Sequence, residues 1–125
     1  MPETTSAELL VICLCAEWCG VCRGYRATLD ALPTRLPGIA TSWIDVEDDA
    51  DFIAPLDVEN FPALLIVSGD TPVFFGTVTP QPETLERLVR AQRDGGVALP
   101  DPELRALVAR VRARRAGDSA PVTAR

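Results

Sequence analysis

The sequence predicts an α/β fold: a central mixed four-stranded sheet flanked by helices in the order β-α-β-α-β-β-α, plus an added C-terminal helix. Three observations predict it. Short apolar runs rich in branched residues alternate with stretches of helical period. Two of those runs, 63–67 (ALLIV) and 72–77 (PVFFGT), are separated only by the tight turn Ser68-Gly69-Asp70, as in an antiparallel hairpin. The chain has 125 residues, 47% of them apolar, which suits one ordinary core and leaves no length for a second independent domain.

In order along the chain, residues 9–15 (LLVICLC) have little polar interruption and read as a central strand covered on both faces. A helix is expected to start near Cys19 and to run through Tyr25 and Leu29 to Leu32, where Pro33 stops it. Residues 39–46 form the next strand. Asp48 and Asp49 then offer N-caps to a short helix through Phe52 and Ile53, with Pro55 limiting its length. The hairpin follows. Thr79-Pro80 signals the next helix, with Leu85, Leu88 and Val89 on one stripe and Gly95-Gly96 as its end. Asp101-Pro102 opens the last helix, carrying Leu104, Leu107, Val108 and Val111 on one side and closing at Gly117. The organisation is therefore a domain over residues 1–94, a helix over 95–117 packed on that same domain, and a frayed tail over 118–125. Docking on a partner or a second copy is the other use open to the last helix, whose wet side carries Arg105, Arg110, Arg112, Arg114 and Arg115.

Composition narrows the chemistry. The net charge is −6, and all twelve bases are Arg, with neither Lys nor His anywhere in the chain. This excludes a His general base, a His metal ligand, a lysine Schiff base and a P-loop lysine. The acidic balance also argues against a nucleic-acid partner. The acidic stretch from Asp45 to Glu59 lacks the glycine and terminal glutamate of a calcium loop and reads as a solvated cap. No base precedes Arg23, and the apolar run after Glu8 is too short to span a bilayer, so neither a secretory leader nor a membrane segment is expected. The expected compartment is the cytoplasm.

All four cysteines, Cys13, Cys15, Cys19 and Cys22, fall within ten residues, which suits one site and not a disulfide framework. Cysteines at i and i+3 in a first helical turn share a face and can close a disulfide with little backbone movement. The positive end of the helix dipole stabilises a thiolate at Cys19, making it the nucleophile. Cys22, one turn inside and more buried, is the resolving thiol that attacks the mixed disulfide formed at Cys19. Zinc held by all four thiols and an inert structural pair are the alternatives. A zinc cage needs four sulfurs to converge, here from one strand and one helix, so no metal is expected.

The segment Ala16-Glu17-Trp18-Cys19-Gly20-Val21-Cys22-Arg23 resembles the active-site segment of thioredoxins, a strand end followed by W-C-G-P-C-K. Phe61-Pro62-Ala63 resembles the family's Ile-Pro-Thr, and Gly76 falls where thioredoxins carry a glycine beside the substrate groove. The resemblance covers about residues 9–93 and implies a thioredoxin-like fold trimmed at its N-terminus. It implies a cis Phe61-Pro62 bond packed against a redox-active Cys19–Cys22 disulfide. It also implies a groove in which Trp18, Gly20, Val21, Phe61, Pro62 and Gly76 meet an extended disulfide-containing protein substrate. No bound cofactor is implied, the electrons coming from an external flavoprotein reductase. Three positions depart from the family. Cys13 stands where thioredoxins carry a buried Asp, Trp43 falls roughly where its Lys partner lies, and Val21 replaces the motif proline. Losing both members of a buried ion pair avoids stranding one charge. Proton transfer from Cys22 then falls to water, Glu17 or the leaving thiolate.

Strand alternation puts Cys13 and Cys15 on one face, and the resemblance makes it the face beneath the active cysteines. Both are accessory thiols or small buried fillers, with Cys15 close enough to exchange with Cys22 under oxidation. The function expected is reduction of protein disulfides by dithiol–disulfide exchange. The alternative is a binding module that engages a partner through the groove and the last helix, its redox pair slow or vestigial.

Overall fold

A computed structural model describes residues 9–16, 20–54, 62–79 and 81–119, without the side chains of Val21 and of 116–119. Four strands, β1 (Leu9–Cys15), β2 (Ile39–Asp45), β3 (Ala63–Ser68) and β4 (Thr71–Thr77), form one sheet in the order β2-β1-β3-β4. β2 runs parallel to β1, while β3 is antiparallel to both β1 and β4, so the sheet is mixed as expected. β1 is flanked on both edges, and all seven of its residues are buried, which is what its uninterrupted apolar run requires. Gly69, at φ 64°, supplies the left-handed residue of the β3–β4 turn.

Each face of the sheet has its own core. On one face Val11, Cys13 and Cys15 meet Leu29, Leu32 and Leu36 from and just beyond α1 (Gly20–Arg35), together with Leu85 and Val89 of α3 (Pro82–Gly95). On the other, Leu10, Ile12 and Leu14 meet Ile53 of the short α2 (Ala50–Ile53) and the apolar stripe of α4 (Pro102–Ser119).

Several boundaries move for physical reasons. α1 passes through Pro33 and ends at Arg35, because Leu29, Leu32 and Leu36 are all buried and carry the chain one turn further. Burying a leucine stabilises by roughly 1.5–3 kcal/mol, which offsets half or more of the ~3 kcal/mol of an interior proline. α3 starts at Pro82, using Gln81-Pro82 as its start signal, while Pro80 lies outside the described residues. Asp49 precedes α2 without a side-chain cap. Asp45 instead accepts from the backbone N–H groups of Glu47 (2.8 Å) and Asp48 (3.1 Å) and makes the turn. Asp101 does cap α4, accepting from the N–H of Glu103 at 2.9 Å. That helix runs to Ser119, past Gly117.

Four arginines of α4 are ties to the rest of the chain. Arg110 donates to the carbonyls of Phe52 (2.8 Å) and Ala54 (3.1 Å), and Arg115 donates to that of Thr41 (2.8 Å). Arg112 donates to the Gly69 carbonyl. Arg114 forks onto both oxygens of Asp49 at 3.2 Å and lies 3.7 Å from the Phe52 ring centroid. The helix is thus fastened to the α2 segment, to β2 and to the hairpin turn. No helix among the described residues is long and apolar enough to cross a membrane.

Candidate active site

β1 ends at Cys15, one residue before the chain leaves the described region, and the described backbone resumes at Gly20 as α1 begins. Regular structure holds both sides of this crossing. Cys15 lies at the end of a strand paired with β2 and β3, and the backbone continues that pairing through Val46, whose N–H donates to the Cys15 carbonyl at 2.8 Å. Cys22 lies in the first turn of α1, and neither Cys15 nor Cys22 is exposed.

The structure joins Cys15 to Cys22 by a disulfide, their Cα atoms 5.8 Å apart. Two features create this contact. Alternation along β1 turns Cys15 to the face that α1 covers, and the helix seats its first turn over the strand's last residue. Cys19, Trp18 and Phe61 lie outside the described residues, as does Glu17. Pro62 is buried just before β3, and its carbonyl accepts from the N–H of Val78 at 3.0 Å, tying the end of β4 beside the start of β3. Gly76 is half-buried in β4, opposite Leu64. Gly20 is exposed at the first position of α1.

Cys13 is a free thiol, fully buried two residues behind Cys15 on the same face. Burial pushes its pKa up to about 12, so it is a neutral thiol at physiological pH. Trp43 sits directly opposite it across the β1–β2 ladder, with the Arg26 guanidinium 5.0 Å from the ring centroid. Among the described residues no charged side chain is buried. The ground beneath the disulfide is therefore thiol and aromatic, with no carboxylate available at position 13 to take a proton from Cys22.

Sequence reasoning passed over Tyr25. Its side chain is 2% exposed and belongs to the same cluster as Cys13, Cys15 and Cys22, and its hydroxyl has no hydrogen-bond partner among the described residues. Burial, with Cys13 as a second cause, pushes its pKa up, so the phenol stays protonated. The available signal was its i+3 spacing from Cys22, which puts both on the inner face of α1. No group of three or more metal-ligating side chains is assembled among the described residues.

The family model described as thioredoxin matches residues 3–91. The thioredoxin H-type of Fagopyrum esculentum is 29% identical over 89 residues, which is 71% of this chain and 66% of that relative, just under two thirds of its length. Among solved structures, Fasciola hepatica thioredoxin superimposes with a TM-score of 0.61 at 21% identity, covering 69% of this chain and 82% of the other. Oxidised mitochondrial thioredoxin 3 of Saccharomyces cerevisiae gives 0.59 at 22% identity, with 69% and 80% covered. These superpositions share the fold.

Proposed function

Because this chain belongs to the thioredoxin family, we propose that it is a thiol–disulfide oxidoreductase that reduces protein disulfides through Cys19 and Cys22. The observation that carries the reading is the position of Cys22: unexposed, in the first turn of α1, and within bonding distance of another thiol. A sulfur held there is shielded from solvent and open to intramolecular attack, as a resolving thiol must be. Cys19, one residue before α1, attacks the substrate disulfide as a thiolate stabilised by the helix N-terminus. One substrate sulfur leaves with a proton and the other is held on Cys19. Cys22 then attacks Cys19, releasing the second substrate thiol and closing the Cys19–Cys22 disulfide. Trp18, Gly20, Val21, Phe61, Pro62 and Gly76 line the substrate groove, and an external flavoprotein reductase returns the two electrons. The setting proposed is the cytoplasm, with no cofactor carried by the chain.

The binding-module alternative engages a partner through the groove and α4, yet on α4 Leu104, Leu107, Val108 and Val111 are buried in this chain, and Arg110 and Arg115 bond to it. Equilibration of the protein in dithiothreitol buffers tests the choice. A redox-active pair loses two thiols in one transition with a slope of about 30 mV per decade, within a window of roughly −320 to −120 mV. A thiol count that does not change across that window removes the oxidoreductase reading.

A further inference from the structure

Cys22 has two candidate partners. Cys19 is three residues away on the chain, and Cys15 is bonded to Cys22 across the strand–helix junction, with a Cα separation of 5.8 Å. One sulfur cannot hold both, so the oxidised chain has two isomers. We propose that Cys15 is a third exchange thiol, which takes Cys22 from Cys19 after each turnover and stores the oxidised state as a buried Cys15–Cys22 disulfide. This inference rests on the exchange reading above and extends it.

The step balances without an external oxidant. The Cys15 sulfur attacks the Cys22 sulfur of the Cys19–Cys22 disulfide. The Cys15–Cys22 bond forms as the Cys22–Cys19 bond breaks, and the Cys15 proton passes to the departing Cys19 sulfur. The chain stays oxidised by two electrons throughout. Cys19 is the good leaving group, since a thiol of lowered pKa leaves faster. Cys15 and Cys22 are both 0% exposed, so the exchange consumes a buried thiol and leaves the free one at Cys19, where the helix N-terminus stabilises a thiolate. No outside thiol reaches it directly, and attack on Cys22 by the Cys19 thiolate, the reverse of the same step, reopens it.

Cys13 cannot substitute for Cys15. It lies two residues back along β1, about 7 Å further from the strand end. The consequence for the cycle is specific. With Cys22 tied to Cys15, Cys19 is a free thiol in the oxidised chain and can bond a substrate sulfur that no second thiol then resolves. The same site therefore reduces substrates when fully reduced and retains them when oxidised.

The cut positions of the chain make the isomers separable. Protein oxidised with one equivalent of diamide is quenched in acid, treated with N-ethylmaleimide, and cleaved after Glu8, Glu17 and Arg23. Residues 9–17 hold Cys13 and Cys15, and residues 18–23 hold Cys19 and Cys22. The expected result is that most oxidised chains carry these peptides cross-linked, with maleimide on Cys19. Cys13→Ser keeps the cross-link, and Cys15→Ser loses it together with the maleimide on Cys19. A disulfide internal to 18–23 as the main species, with both cysteines of 9–17 alkylated, overturns the proposal, as does a main link through Cys13. In either case the two-thiol redox transition stands as the separate test of the exchange reading.

Discussion

Cys22→Ser is expected to stop turnover and leave capture intact: the variant accumulates a covalent mixed disulfide between Cys19 and its substrate. The expectation follows from what each sulfur does. Attack on the substrate needs only Cys19, while release needs a second thiol already in place beside it. An oriented intramolecular group acts at an effective concentration that can reach ~10⁵ M, about 10⁸-fold above millimolar dithiothreitol, so without Cys22 release limits turnover and the reduction rate falls by at least about 10²-fold. The adduct is read by mass spectrometry of the intact chain under non-reducing conditions. Serine differs from cysteine by one atom, and Cys22 lies in the buried cluster shared by α1 and β1, so the folded spectrum of the variant is expected to match the native one.

Leu107→Asp is expected to unfold the chain. Leu107 is 0% exposed, in the α4 stripe that closes one face of the sheet together with Leu10, Ile12 and Leu14. Truncating a buried leucine costs about 2–5 kcal/mol, and an unpaired carboxylate in its place adds several more. Stabilities of ordinary domains are about 5–15 kcal/mol, so the sum takes most or all of the margin. Far-UV circular dichroism and denaturant titration read the loss. The neighbouring exposed position gives the contrast, since Ala106→Asp on the same helix is expected to change stability by no more than about 0.5 kcal/mol. This pair of variants separates a helix that completes the core from one that merely follows it.

The strands were legible because their signal is local. β1 reads as a covered central strand from seven apolar residues alone, and the hairpin reads from Ser68-Gly69-Asp70. The apolar stripe of α4 was likewise visible from spacing. What escaped depends on contacts between distant elements. Pro33 marks a helix end by local rules, and only the burial of Leu36 against the sheet carries α1 past it. The α4 arginines look like a solvated basic face until the carbonyls of Phe52, Ala54 and Thr41 are placed beside them. The same division runs through the site. C-x-x-C spacing pairs Cys19 with Cys22 because residues three apart share one face of a helix. The Cys15–Cys22 contact spans seven residues and exists because α1 seats its first turn on the end of β1. Strand alternation, with the family resemblance, put Cys15 beneath the active cysteines and within exchange distance of Cys22, and the structure bonds the two. Tyr25, three residues after Cys22, shares the inner face of α1 by spacing, and its unpartnered hydroxyl becomes visible only with the packing around it.

The most direct test of thiol–disulfide exchange at Cys19 is reduction of insulin disulfides driven by dithiothreitol, with the native chain compared with Cys19→Ser at equal concentration. The native chain is expected to accelerate precipitation of the insulin B chain well above the dithiothreitol blank, and Cys19→Ser is expected to match the blank. Equal rates for the native chain and Cys19→Ser would contradict the account.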